Sequence, residues 1–165
     1  IANDVSARDI QIPETQFFIG KSYRTFCPLG PYLCLVNKES IHHLHSLNLE
    51  LRVNGELRQQ DNTANLVFKP CETLSELTNF SNLEAGDLLL SGTPSGCALQ
   101  IPSPFIVKLF NLLPETFRWR LFKKIQAKSP AYLQEGDVLE VRIFSDDHGL
   151  DLGCQTNKIV YQSQK

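Results

Sequence analysis

The sequence predicts a mainly β protein with some helix, an α+β fold in a single domain. Three observations lead to this prediction. Residues 47–53 alternate strictly between apolar and polar side chains, which is typical of a strand with one buried face. Residues 83–90 and 133–140 each place a Gly-Asp turn directly before an apolar run. Apolar residues at helical spacing are concentrated at about 103–129.

The elements follow in chain order. A weak strand is predicted at 31–36, and then a β-hairpin begins at residue 47. Its turn is Asn54-Gly55, the dipeptide that most readily supplies the two positive φ angles of a type I′ turn. The return arm, 56–60, is more polar. Each Gly-Asp turn is expected to start a strand, and a last weak strand is predicted at 150–155.

Two regions have helical patterns. A short helix is predicted at 70–79, with Leu74 and Leu77 facing inward. Residues 99–133 are predicted to form an inserted pair of helices that is broken at Pro114, because proline cannot continue a helix. Its apolar residues at helical spacing are Phe105, Ile106, Leu109 and Leu113 before the break, and Phe117, Leu121 and Ile125 after it.

The same insertion is unusually basic. It holds six lysines and arginines against the single acid Glu115, whereas the formal net charge of the chain is −2. Arg120, Lys124 and Lys128 form a stripe parallel to the apolar one. We interpret the insertion as a lid or dimer contact. The alternative is a basic amphipathic surface for an anionic membrane or partner.

Composition excludes several classes of protein. With 42% hydrophobic and 21% charged residues, the chain is typical of globular proteins rather than disordered ones. Five cysteines without a CxxC pair indicate neither a disulfide framework nor a zinc site. No apolar run approaches the ~20 residues that cross a bilayer. We predict a cytoplasmic protein without nucleic-acid or membrane partners. The absence of methionine and the abrupt start suggest a piece of a longer chain.

Polar residues cluster at 3–11, where Asp4 and Asp9 lie near Arg8 and Gln11. Carboxylates are ligands for Mg²⁺ or Ca²⁺, and arginine binds carboxylates through two hydrogen bonds, so this cluster suits a metal ligand beside an anion site. The alternative is a polar turn in which Arg8 and Asp9 pair with each other or with solvent. Both interpretations stay open from these residues alone.

Two further loops are candidates for anion binding. Lys21 follows Gly20 in what we expect to be a strand-entry loop, but the upstream glycine of a P-loop is missing. Residues 91–96 form a glycine-rich turn whose amides and Thr93 hydroxyl suit an anion, although taken alone the motif favours a plain tight turn. Thr93 occupies a position at which a nucleophile elbow requires glycine.

The histidines give no metal signal. His42, His43 and His45 share no face of a strand or helix, and no nearby Cys, Asp or Glu completes a four-ligand set with them. We predict a surface loop there and place His148 in a turn.

Six motifs in order resemble those of the fumarylacetoacetate hydrolase family, and they extend from residue 1 to about 155. An ordered series is far more specific than any one of its members. The motifs are Asn3-Asp4-Val5-Ser6-Ala7-Arg8-Asp9-Ile10-Gln11, Gly20-Lys21-Ser22-Tyr23, Pro28-Leu29-Gly30-Pro31, Leu51-Arg52-Val53-Asn54-Gly55-Glu56-Leu57-Arg58-Gln59, Leu83-Glu84-Ala85-Gly86-Asp87 and Ser91-Gly92-Thr93-Pro94-Ser95-Gly96.

The resemblance implies a mixed β-sandwich roll, a homodimer, and one catalytic domain spanning 1–165. It also implies a Mg²⁺ or Mn²⁺ site and hydrolytic cleavage of a C–C bond in acylpyruvate-like 2-oxo acids. By the same resemblance, Asp4 would bind the metal, and Arg8 and Gln11 would hold the oxo-acid end. Lys21 would stabilise the enolate or carbanion, and Thr93 would anchor the substrate carboxylate.

The resemblance leaves alternatives open. In the family a Glu-x-Glu pair of metal ligands precedes the Asp motif, and this sequence begins just after that position, so we expect an incomplete metal site. The main hypothesis is the hydrolase. The second is a decarboxylase or isomerase of a 2-oxo acid such as oxaloacetate. The third is a truncated, inactive member or an interaction module.

Overall fold

The computed structural model describes residues 1–14, 16–99, 113–126, 129–147 and 149–161. A four-stranded antiparallel sheet with strand order β2-β1-β3-β4 organises the fold. The predicted α+β class is confirmed, because the chain combines this antiparallel sheet with several helices. The strands are β1 (Leu47–Val53), β2 (Glu56–Asn62), β3 (Val138–Ser145) and β4 (Asp151–Lys158).

The described helices are mostly short. The first two were not predicted, because four residues are too few to show a 3.6-residue period. The second also replaces the strand-entry loop predicted around Lys21. The α-helices are α1 (Arg8–Gln11), α2 (Phe18–Lys21), α3 (Pro70–Leu77) and α4 (Glu115–Gln126), and 3₁₀ helices occur at Ile41–His45 and Thr63–Asn65.

The predicted hairpin is confirmed. Asn54 and Gly55 have φ angles of 52° and 82°, as a type I′ turn requires. The Asn54 side chain also reaches the next strand of the sheet. Its Nδ2 donates to Asp137 Oδ1 at 2.8 Å, and its Oδ1 accepts from Val138 N at 2.9 Å. The turn residue therefore also fixes the start of β3.

The two faces of the sheet differ in polarity. On one face, apolar residues of β1 and β3 oppose each other in the pairs Leu49–Ile143, Leu51–Val141 and Val53–Leu139. Leu139, which is 3% exposed, is buried together with Leu47 and Val53. On the other face, oppositely charged residues meet in the pairs Glu50–Arg142 and Arg52–Glu140. The alternation seen in the sequence thus separates an apolar face from a polar face.

Two strand predictions were wrong. Residues 87–90 and 31–36 are not strands, since neither segment pairs with a neighbouring strand in the described part of the chain. The two Gly-Asp turns have the same local structure: Asp87 Oδ2 accepts from Glu84 N at 2.9 Å, and Asp137 Oδ2 accepts from Gln134 N at 2.7 Å. Only the second turn leads into the sheet, so the motif specifies the turn and not the strand.

The helical predictions are partly confirmed. Helix α3 forms, with Leu74 and Leu77 facing the 83–89 loop, but Leu74 stays exposed. Helix α4 is the predicted second helix of the insertion, and its Phe117 and Ile125 are each 52% exposed. The predicted first helix falls at 105–113, mostly outside the described residues. Among the described helices, none has the length and apolarity to span a bilayer.

Candidate active site

The segment that carries Asp4 is attached to the loop at residues 28–30. Asn3 N donates to Pro28 O at 3.2 Å, and Ala2 forms an antiparallel bridge with Leu29. These backbone contacts fix the direction of the chain on both sides of Asp4. The first and third motifs of the sequence series are therefore neighbours in space.

Gln155 on β4 binds the same loop through its side-chain amide. Its Nε2 donates to Pro28 O and to Gly30 O, each at 3.1 Å, and the residue is only 6% exposed. A buried amide that satisfies two backbone carbonyls costs stability when it is removed. Gln155 thus connects the loop that binds the Asp4 segment to the sheet.

Helices α1 and α2 pack closely at Gly20. Ala7 N donates to Gly20 O at 2.8 Å. A Cβ atom at position 20 would lie 2.8 Å from Gln11 Cβ and 3.1 Å from Gln11 Cα, so only glycine fits without a shift of the backbone. This close contact sets the position of Lys21, the next residue.

Lys21 and Asp4 form an ion pair, in which the ammonium donates to Asp4 Oδ2. Both side chains are about one-third exposed, at 32% for Lys21 and 29% for Asp4. The carboxylate therefore orients the ammonium while leaving it open to a ligand. Both residues were candidates from the sequence, and the structure brings them into contact.

Arg8 and Gln11 also interact directly. Arg8 Nη1 donates to Gln11 Oε1. Gln11 is 3% exposed and lies behind Arg8, whereas Arg8 faces the cavity described below. The polar-turn interpretation paired Arg8 with Asp9 or with solvent. In the described part of the chain Arg8 instead donates to Gln11.

An open cavity of about 2240 Å³ lies over the apolar face of the sheet. Asp4, Arg8, Lys21 and Thr93 all line it, and Gln11 does not. Cations outnumber anions among its described lining residues, which favours an anionic ligand. The lining cations are Arg8, Lys21, Arg24, Arg58 and Lys158, and the anions are Asp4, Asp9 and Glu50.

Comparison with known proteins shows the family to which the chain belongs. The sequence model described as "Fumarylacetoacetate (FAA) hydrolase C-terminal" matches residues 1–160. The chain belongs to the fumarylacetoacetate hydrolase family. The family resemblance of the six motifs is thereby confirmed, and the match extends through the helical insertion.

Relatives within the family carry a more specific name. The protein named oxaloacetate tautomerase FAHD2B, mitochondrial, of Bos taurus is 44% identical over 162 residues, which cover 97% of this chain and 41% of that protein. The protein named oxaloacetate tautomerase YisK of Bacillus subtilis is 49% identical over 96 residues, 58% of this chain and 31% of that protein. The chain thus spans less than half the length of these relatives.

Solved structures of the family share the fold. The structure named fumarylacetoacetate hydrolase (EaFAH), from Exiguobacterium antarcticum, superimposes with a TM-score of 0.69 at 33% identity. The match covers 98% of this chain and 46% of that one. This agreement supports the α+β architecture described above.

Members of this family commonly use a divalent metal. A site for Mg²⁺ or Mn²⁺ in the described residues would need several side chains that can act as ligands. Among those described residues, no group of three or more His, Cys, Asp or Glu side chains could hold a metal ion. An oxygen of Asp4 already accepts from Lys21. Mg²⁺ prefers octahedral oxygen ligands, several of which are usually waters. The described residues therefore do not fit a complete site, and Mg²⁺ or Mn²⁺ stays a prediction.

The histidines do not form a metal site in the described part of the chain. His42, His43 and His45 lie on the 3₁₀ helix Ile41–His45 rather than in a loop. His43 Nδ1 lies 3.7 Å from Asp147 Oδ1, which links this helix to the turn between β3 and β4. His148, predicted to be in that turn, falls outside the described residues.

Tyr132 is a cavity residue that the sequence reasoning missed. It lines the cavity, and burial raises the pKa of its hydroxyl, while the nearby Arg8 lowers this pKa and Asp9 raises it. The hydroxyl therefore stays protonated at neutral pH and can donate a hydrogen bond near the Arg8 guanidinium. A lone tyrosine near the end of the insertion gives no spacing signal from which this position could be predicted.

Proposed function

We propose that this chain is the catalytic part of a tautomerase that interconverts the keto and enol forms of oxaloacetate. The observation that carries the proposal is the 44% identity, over 97% of the chain, to a protein named oxaloacetate tautomerase. The tautomerase therefore replaces the hydrolase as the leading hypothesis. The excess of cations around the cavity supports it, because oxaloacetate is a dianion at neutral pH.

The chemistry of this reaction is a proton transfer. In the keto-to-enol direction the C3–H bond breaks, its electron pair forms the C2–C3 double bond, and the C2 oxygen gains a proton. No bond between carbon atoms breaks, and no water is consumed. A catalyst must hold two carboxylates and stabilise the negative charge that develops on the enolate oxygen.

The cavity residues suit these tasks. The Lys21 ammonium, oriented by Asp4, stabilises the enolate charge. Arg8, held by Gln11, binds the oxo-acid end, because a guanidinium matches the geometry of a carboxylate. Thr93 and the amides of its turn anchor the second carboxylate. In this proposal a water molecule in the open cavity accepts the C3 proton, and water also supplies the proton that the C2 oxygen gains, so the proton transfer balances.

A stopped-flow assay tests the proposal. The enol form of oxaloacetate is diluted into buffer, and its ultraviolet absorbance is followed as the keto form appears. We expect a decay rate that rises in proportion to protein concentration and returns to the buffer rate with heat-unfolded protein. A rate that is independent of the native protein would refute the tautomerase. CO₂ release from oxaloacetate in the same samples would indicate a decarboxylase instead.

The second candidate is the hydrolase of acylpyruvate-like 2-oxo acids. It is favoured by the 33% identity to the structure named fumarylacetoacetate hydrolase (EaFAH). The same cavity residues would then stabilise the carbanion left by C–C cleavage. Consumption of an acylpyruvate with release of two acids would support this function, and the tautomerase predicts no such products.

The remaining predictions about the protein stay proposals. They are a small-molecule 2-oxo acid as the ligand, a homodimer, and a cytoplasmic location. The bovine relative is named as mitochondrial, so the location is open to a direct test by fractionation. A Mg²⁺ or Mn²⁺ ion bound through Asp4 is tested by adding each metal to the stopped-flow assay.

A further inference from the structure

The turn that carries Thr93 lies against the edge of the sheet. Strand β2 is an edge strand, and Gln60 on it exchanges two hydrogen bonds with Ser95. Gln60 N donates to Ser95 O at 3.3 Å, and Ser95 Oγ donates to Gln60 O at 2.8 Å. The turn thus covers backbone groups of β2 that an edge strand would otherwise leave unpaired.

Gly96 allows this close approach. Its φ is +103°, and a Cβ atom there would lie 2.1 Å from Arg58 O. Any larger residue would push the turn away from β2. The path of the chain from Thr93 to Gly96 is therefore set by its contact with the strand.

Asp61, the neighbour of Gln60, binds the turn through its side chain. Its Oδ2 accepts from Ser95 N at 3.2 Å. Its Oδ1 accepts from Asn62 N at 2.9 Å and from Asn65 Nδ2 at 2.8 Å. Hydrogen bonds from Asn65, Asn62 and Ser95 lower the pKa of this carboxyl, so it is ionised at neutral pH.

We propose that Asp61 is a positioning residue, which fixes the Thr93 turn at the rim of the cavity and thereby sets the affinity for the substrate carboxylate. This inference rests on the proposed function, in which Thr93 anchors that carboxylate. Asp61 does not line the cavity itself and acts through Ser95, two residues after Thr93.

The role of residue 61 requires a carboxylate, because both of its oxygens accept hydrogen bonds. Asparagine has the same shape but only one accepting oxygen. In Asp61→Asn, either Ser95 N or the Asn62 and Asn65 donors must face an NH₂ group, which cannot accept. The orientation that keeps the two bonds from Asn62 and Asn65 turns the NH₂ group toward Ser95 N, so the turn loses one of its attachments to β2.

The test compares Asp61→Asn with Asp87→Asn in the oxaloacetate assay. Asp87 is a matched control, since its carboxylate also accepts from a backbone amide, Glu84 N, but that bond lies within its own turn at 84–87 and not on the Thr93 turn. We expect a roughly tenfold rise in KM with little change in kcat for Asp61→Asn, and no change for Asp87→Asn. Amide hydrogen exchange at Ser95 should become faster in Asp61→Asn alone.

A double-mutant cycle with Thr93→Ala separates positioning from a structural role. If Asp61 acts through the turn, Asp61→Asn adds no further rise in KM in the Thr93→Ala background. Independent, additive effects, or a fall in kcat with unchanged KM, would overturn the inference. If Asp61→Asn does not fold, Ser95→Ala tests whether attachment of the turn to β2 sets KM, because it removes the bond from Ser95 Oγ to Gln60 O; an unchanged KM would then overturn the inference. A wild-type protein without turnover refutes the proposed function, whereas exchange at Ser95 still reports on the contact.

Discussion

The ammonium of Lys21 and the carboxylate of Asp4 form an ion pair between residues that are 17 positions apart in the sequence. Two features create this contact. The backbone of the Asp4 segment is bound to the 28–30 loop, and Gly20 lets helix α2 pack directly on Gln11. The pair therefore depends on the packing of these segments as much as on its own charges, since a partly exposed ion pair contributes at most about 1 kcal/mol.

Gly20→Ala should disrupt the site without removing a charged group. The added Cβ would lie 2.8 Å from Gln11 Cβ, which forces α1 and α2 apart. We expect a loss of about 1–3 kcal/mol in the free energy of unfolding, as for other overpacked contacts, together with weaker catalysis. Urea denaturation and the stopped-flow assay measure the two effects. An unchanged unfolding midpoint would show that the helices adjust freely.

Gln11 variants test whether the charge of Arg8 binds the substrate. Gln11→Glu places a carboxylate beside the guanidinium and neutralises it, whereas Gln11→Ala only removes the bond that holds it. We expect KM for oxaloacetate to rise in both variants, and more in Gln11→Glu. The reverse order would mean that Gln11 contributes through packing rather than by orienting a cation.

Much of this fold could be predicted from local patterns. The hairpin follows from the alternation in 47–53 and from Asn54-Gly55, because both the side-chain period and the turn geometry are encoded in neighbouring residues. Residues 87–90 have an equally apolar pattern and yet form no strand. A strand needs a partner for its backbone groups, and that partner is not encoded in the segment itself.

The motif series named candidate site residues but not their arrangement. The candidates were Asp4, Arg8, Gln11, Lys21 and Thr93. The series did not show that Gln11 lies behind Arg8, because burial depends on the packing against Gly20. Asp61, Tyr132 and Gln155 were missed, since each acts through a partner that is distant in sequence.

Acid should destabilise the protein partly through Asp137. Hydrogen bonds from Gln134 N and from Asn54 lower the pKa of this carboxyl from its ordinary value of 3.8. Its contribution is fully present above that value and is lost as pH falls through the lower folded-state pKa. Asp137→Asn should therefore have a lower free energy of unfolding than the wild type at pH 7. Between about pH 5 and pH 3 the free energy of unfolding should fall less in Asp137→Asn than in the wild type. Urea denaturation across this range measures the difference, and parallel curves for the two proteins would contradict it.

The most direct test of the proposed function compares the wild type with Lys21→Met in the oxaloacetate stopped-flow assay. Methionine keeps much of the length of the side chain and removes the ammonium. We predict that the wild type accelerates the conversion of enol to keto oxaloacetate, and that Lys21→Met slows it by roughly 10²–10³-fold. An equal rate for the two proteins, or a wild-type rate no faster than buffer, would contradict the assignment of Lys21 to stabilising the enolate charge of a 2-oxo acid.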